Sequence, residues 1–202
     1  MLQAMRGPRH NPDLAVGAVQ RSFLIQWTLV FFLTAVVALA QNTNIPLSET
    51  QVKALCLYNF AKYVEWPAGQ ITNSSAPLSI GIMGNDDFAA ILKTLVQGKT
   101  INSHPIAIQT LKPGDEVRQC QILFVNASEN KRLGDLLKPL KSLPILTVGE
   151  GEAFAQAGGV ISFVVRNNKV RFDIDLGAAA QARLQISSKL LGLADTVHGK
   201  SP

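Results

Sequence analysis

Few side chains in this sequence could move protons or hold a metal. Downstream of residue 40 there are two histidines, His104 and His198, and two cysteines, Cys56 and Cys120. General acid–base work most often recruits a histidine, or a carboxylate with a tuned pKa. His198 lies close to the C-terminus, and His104 directly precedes Pro105, where capping a loop is the simpler role. No nucleophile elbow, zinc-binding helix or close cysteine pair occurs. No two of Cys56, Cys120 and His104 are near in sequence, so neither a metal nor a cofactor is expected. Gly81-Ile82-Met83-Gly84 ends an apolar run and leads into a helix, superficially like a phosphate loop. It lacks the glycine spacing of a dinucleotide site and the lysine of a P-loop. Asp86 and Asp87 occupy the helix start, where an anion would need donors, so they read as its cap and first-turn acid. Arg171, Asp173 and Asp175 share a strand face at every second position. Ion pairing on a solvated face accounts for them, although an exposed arginine beside valines also suits a recognition surface. With this residue inventory, no enzyme is expected.

Several elements must hold these residues. Ser48-Glu49-Thr50-Gln51 has capping-box spacing and predicts a helix with Val52, Leu55, Asn59 or Phe60, and Tyr63 or Val64 inward, stopped by Pro67. Leu78 to Met83 predicts a strand and Asn85 to Val96 a helix. Ile106 and Ile108 mark a half-buried strand, whereas the continuous apolar run Ile122 to Val125 fits a strand covered on both faces. Lys131 to Leu143 predicts a helix, Ile145 to Val148 a strand, and Ala153 to Ala157 a short helix. Asn167-Asn168 tolerates the positive φ of a two-residue hairpin turn. That turn pairs Val165 with Val170, Phe163 with Phe172 and Ile161 with Ile174 on one face, and Val164 with Arg171 and Ser162 with Asp173 on the other. Ala178 to Val197 predicts a last helix, with Ile186, Leu190, Leu193 and Val197 in one stripe. The alternation predicts a single-domain α/β layered fold: a mostly parallel central sheet, helices on both faces, and a C-terminal antiparallel hairpin followed by a helix. Gln70 to Pro77, rich in Ser, Asn, Gly and Pro, predicts an exposed loop.

The chain has 202 residues, 47% of them apolar and 16% charged, which is globular composition. Its net charge of +5 looks like a nucleic-acid signal until it is apportioned. Residues 1–40 hold three arginines against one aspartate; the rest hold 16 basic and 13 acidic side chains, interspersed. There is no basic stripe to follow a phosphate backbone, so nucleic acid is excluded as a partner.

Arg21 precedes an uncharged 18-residue stretch, Phe23 to Ala40, that ends Ala38-Leu39-Ala40 before an abruptly polar Gln41-Asn42-Thr43-Asn44. A basic start, an apolar middle and small residues at −3 and −1 predict a signal peptide over 1–40, cleaved after Ala40. The stretch is also long enough for an uncleaved anchor, which Gln26, Thr28 and Thr34 disfavour; after cleavage no stable membrane insertion is expected. The long basic lead leaves room for a start downstream, at Met5. Residues 41–49 form a lead-in, 50–197 the domain, and 198–202 a tail. Either route delivers the body outside the cytoplasm, where Cys56 and Cys120 could pair as a disulfide. A buried thiol at Cys56, within Ala54-Leu55-Cys56-Leu57, is equally natural.

Val52-Lys53-Ala54-Leu55 through Leu57-Tyr58-Asn59-Phe60-Ala61-Lys62-Tyr63-Val64-Glu65-Trp66-Pro67 resembles the opening helix of the YfiR-like family. So, in order, do Cys120 to Val125, Leu146 to Gly149, Gly158 to Phe163, Val170 to Asp175, and Leu184 to Leu191. The resemblance implies a periplasmic, non-enzymatic signalling regulator. It would bind the periplasmic sensor domain of an inner-membrane GGDEF diguanylate cyclase, or another membrane signalling protein, as a repressor that lowers cyclic di-GMP and so disfavours biofilm. It implies a possible homodimer as well. Carried over, it makes Tyr58, Asn59, Lys62 and Trp66 on the first helix partner-binding candidates, with Arg171 on the hairpin and Arg183, Ser187 and Ser188 on the last helix. The alternative is a periplasmic small-ligand sensor, whose crevice would lie near Gly84 and Gly149 at the carboxyl ends of parallel strands.

Overall fold

The computed structural model describes residues 46–71 and 76–199. The expected signal peptide, its cleavage site and the middle of the Gln70–Pro77 loop lie outside the described residues. The chain runs α1 (Glu49–Tyr63), β1 (Val64–Glu65), β2 (Leu78–Met83), α2 (Asp86–Val96), β3 (Thr100–Ile101), β4 (His104–Leu111) and β5 (Ile122–Val125). It continues through α3 (Leu133–Leu137), β6 (Leu146–Glu150), α4 (Glu152–Gln156), β7 (Ile161–Arg166) and β8 (Lys169–Asp175). It closes with α5 (Leu176–Gln181), β9 (Gln185–Ile186), α6 (Ser188–Leu191) and β10 (Thr196–His198).

Eight strands form one sheet in the order β10-β8-β7-β6-β5-β2-β4-β3. The pairs from β4 through β2, β5 and β6 to β7 are parallel, and β7–β8 is the antiparallel hairpin. The expected α/β layered architecture is therefore present. Period-two geometry explains the unbroken apolar runs, because alternate residues feed two cores. Ile80, Ile82, Ile122, Phe124, Leu146 and Val148 enter the core under α1 and α2. Met83, Leu123 and Val125 enter the other, with Leu133, Leu137, Leu140 and Phe154. Aromatic rings tie α1 and α2 to the sheet: Phe88 stacks on Phe124 at 4.2 Å, and Phe60 meets Phe172 edge-on at 4.8 Å. Such pairs add about 0.5–1.5 kcal/mol beyond area burial.

The hairpin has the register its sequence predicts, including Val165 with Val170 and Ser162 with Asp173. Asn167 and Asn168 take φ of 52° and 57°, as a type I′ turn requires. Ser48 caps α1 in a full capping box with Gln51.

Other expectations are corrected. In α1 the buried residues are Ala54, Leu57, Phe60 and Ala61; of the expected inward residues Phe60 and the following Val64 are buried, but Val52, Leu55 and Tyr63 are only half-buried. The helix ends at Tyr63, ahead of Pro67, because Val64 and Glu65 turn extended to pair with Ile186 and Gln185. Asn85, not Asp86, caps α2 by accepting from the Phe88 N–H at 2.9 Å. His104 opens strand β4 rather than capping a loop, and its Nδ1 lies 2.9 Å from the Ala76 carbonyl oxygen. The helix expected over 131–143 is a chain of short turns around α3. Gly134 and Pro139 explain this, one weakening the helix and the other removing a donor.

The continuous last helix is absent. Segment 176–198 splits into α5, β9, α6 and β10. Arg183 adopts φ 58°, and the N–H groups of Arg183 and Leu184 turn back to the carbonyls of Ala180 and Ala179. That closure ends a helix. Leu184 is thereby buried, whereas Leu193 and Val197 are 65% and 39% exposed. The stripe seen in the sequence is drawn from separate elements.

Candidate partner interface

The candidate residues on α1 stand on a firmly fastened helix. Near its first turn, Lys53 Nζ lies 2.6 Å from both Glu49 and Glu150. Glu150, at the end of β6, also accepts from Asn126 Nδ2 at 2.7 Å and from the Ala127 N–H at 2.9 Å. Burial pulls the Lys53 pKa down, but hydrogen bonds and attraction from Glu150 and Glu49 outweigh it and hold the pKa above its ordinary value.

The last turns of α1 carry the surface. Lys62 Nζ sits 4.0 Å from the Tyr58 ring centroid and also donates to Asn59 Oδ1 at 3.4 Å. Lys99, from the turn before β3, approaches the same ring at 5.2 Å. Two cations over one ring make a basic patch with an aromatic floor. Trp66 is half-buried against the core, and its indole N–H donates to the Gln121 carbonyl at 3.2 Å. The β1–β9 pair joins this end of α1 to segment 185–188, where the Ser187 N–H donates to the Tyr63 carbonyl at 3.0 Å. Ser187 caps α6 through the Leu190 N–H, and Ser188 is exposed. The end of α1, Trp66, Ser187 and Ser188 thus belong to one connected region.

Arg171 and Arg183 lie elsewhere. Phe172 turns toward Phe60 on α1, so Arg171, its neighbour along β8, faces the opposite side of the sheet and is exposed. The expected pairing of Arg171 with Asp173 and Asp175 is replaced. Asp173 takes a two-pronged contact from Arg166 at 3.0 Å, Arg166 also binds Asp195, and Asp175 caps α5 through the Ala178 N–H. Arg183 reaches the Ser142 carbonyl at 3.4 Å. Sequence reasoning missed Arg166, Glu150 and Lys99. Arg166 was legible, since it directly precedes the turn of a hairpin whose register was known; the partners of Glu150 and Lys99 come from distant segments and leave no local signal.

Cys56 and Cys120 are free thiols in separate apolar clusters, and burial pushes both pKa values up. For Cys120, hydrogen bonds to Ser79 and Gly81 offset only part of that rise. Raised thiols are poor nucleophiles. Among the described residues no three His, Cys, Asp or Glu side chains are grouped to hold a metal ion. At the expected crevice Gly149 is buried, whereas Gly84 is exposed. A Cβ on Gly149 would clash with the Phe154 ring, and one on Gly84 would meet Ser128 Oγ.

The sequence pattern of the YfiR/HmsC-like family matches residues 50–195. The chain belongs to that family. The family is regulatory rather than catalytic, periplasmic, and acts with membrane signalling proteins. A crystal structure of a conserved domain protein from Vibrio cholerae O1 biovar El Tor str. N16961 has a similar fold, with a TM-score of 0.52 and 11% identity. The match covers 75% of this chain and 61% of that one, so the chain spans less than two thirds of its structural relative. At that identity the likeness speaks to fold alone. No curated protein matches. Among the described residues no helix is long and apolar enough to cross a membrane.

Proposed function

We propose that this chain is exported through residues 23–40, cleaved after Ala40, and works in the periplasm as a repressor of an inner-membrane GGDEF diguanylate cyclase. Its domain, residues 50–197, binds the periplasmic sensor part of that cyclase and holds it inactive, lowering cyclic di-GMP. The observation that carries this reading is the family match across nearly the whole domain. The basic, aromatic end of α1 offers the binding surface: Tyr58, Asn59 and Lys62 stand there with Lys99, and Trp66, Ser187 and Ser188 adjoin. Exposed arginines and aromatics are the side chains that anchor interfaces, so Arg171 and Arg183 extend the proposal to secondary contacts.

Deleting the gene should raise cellular cyclic di-GMP, and the full-length gene should restore it. Purified from envelopes, the tagged protein should bring down a GGDEF protein, and Lys62→Glu should weaken that capture. Unchanged cyclic di-GMP in the deletion strain would refute the reading.

A further inference from the structure

One long edge of the sheet is open. β4 pairs with β2 through Ile106 to Leu111 on one side, but β3 covers only His104 and Pro105 on the other. Among the described residues nothing pairs with the outer side of Ile106–Leu111. Six extended residues span about 20 Å and present alternate unpaired N–H and C=O groups. Proteins blunt such edges with charges, prolines, bulges or very short strands. The opposite edge, β10, is only three residues long. Ile106-Ala107-Ile108-Gln109-Thr110-Leu111 carries no charge and no proline.

A groove of about 540 Å³ lies beside this edge. Ile106, Ile108 and Val96 line it together with Lys93, Gln97 and Lys99. Lys93 and Lys99 are exposed and in no salt bridge among the described residues. The groove therefore joins an unpaired backbone, half-buried isoleucines and two exposed cations. Lys99 also reaches the Tyr58 ring, so the groove continues into the basic end of α1.

We infer that β4 docks an extended, acidic segment of a partner protein, which adds a strand to the sheet edge, lays apolar side chains over Ile106 and Ile108, and meets Lys93 and Lys99 with carboxylates. Strand addition takes its affinity from main-chain hydrogen bonds and its specificity from alternate side chains. A second copy pairing edge to edge fits less well, because the strand it would insert has no carboxylate for the lysines. The inference deepens the proposed partner binding and rests on it.

The test uses the purified protein and two labelled eight-residue peptides, one alternating valine with glutamate and the other valine with lysine. Fluorescence anisotropy should show salt-sensitive binding of the acidic peptide only. Hydrogen exchange should show new protection of the Ile106–Leu111 amides. The surface variant Lys93→Glu/Lys99→Glu should lose about tenfold in affinity through like-charge repulsion, while melting as the wild type does. Ile108→Lys should abolish docking, and Lys131→Glu, which does not line the groove, should not. No binding, equal binding of the basic peptide, or protection outside β4 would overturn the inference. So would a dimer that buries β4 without peptide. In cells, a Lys93→Glu/Lys99→Glu protein that fully restores a deletion strain sinks the edge alone, whereas a deletion without effect sinks the wider reading.

Discussion

Glu150 is the residue through which the strand ends hold α1, and replacing it should cost more than its place near the surface suggests. Its carboxylate is 15% exposed and binds Lys53, itself 13% exposed, at 2.6 Å. It also accepts from Asn126 and from the Ala127 N–H. Hydrogen bonds to charged groups contribute about 1.5–3 kcal/mol each, net of the exchange with water. Breaking a buried ion pair costs about 3–5 kcal/mol because the other charge is stranded. Here Lys53 keeps Glu49, which is half exposed and offsets part of that loss. Glu150→Ala should therefore destabilise by about 3 kcal/mol, and Glu150→Gln, which keeps an acceptor for Ala127, by about half as much. For a domain of this size that is a fall in Tm of about 6–12 °C for the alanine variant.

Urea denaturation supplies the free energies, and Lys53→Met completes a double-mutant cycle with Glu150→Gln, with expected coupling of about 1–2 kcal/mol. A pH series checks the cause. The folded Lys53 pKa is raised above 10.5, so its contribution is whole below about pH 10.5 and is lost as pH climbs through the higher folded value. Wild type should lose that alkaline increment and Lys53→Met should not. A loss below about 1 kcal/mol for Glu150→Ala, within the range of an exposed pair, would refute the reasoning.

Ser162 Oγ is buried and has no hydrogen-bond partner among the described residues, so Ser162→Ala should stabilise by about 1 kcal/mol in urea denaturation. Arg183→Gly should stabilise by about 0.5–1 kcal/mol, since glycine takes the positive φ without a Cβ penalty, and near-unchanged partner affinity would remove Arg183 from the interface. Cys120, which is buried, should react more slowly with Ellman's reagent in the folded protein than half-buried Cys56, and the two together should release two thiols on unfolding, because both are free.

The fold was legible where a short-range rule had no competitor. Asn167-Asn168 sets both the turn and the register, and the period of two then places Phe163, Phe172, Ile161 and Ile174 together. Ser48 and Gln51 likewise fix the start of α1. The last helix was misread because Ile186, Leu190, Leu193 and Val197 fall at helical intervals by coincidence. Better signals were present: Ser187 has cap chemistry and Gly192 follows five residues later, enough for α6 alone. Burying Leu184 and pairing Gln185 with Glu65 outweighed helical propensity, and only tertiary structure supplies those terms.

The candidate surface divides along the sheet. Tyr58, Lys62, Lys99 and the open edge of β4 form one continuous side, whereas Arg171 faces away on a strand near the other end of the sheet. A partner that uses the edge adds its own strand beyond β4 and reaches α1 without touching Arg171. The two groups of residues can then be separated by charge reversal: Lys62→Glu and Lys99→Glu should be non-additive with each other, being within one ring's reach, and additive with Arg171→Glu if Arg171 matters at all. Non-additivity between Lys99 and Arg171 would require a partner that wraps the sheet, and strand addition at β4 would no longer explain how it binds.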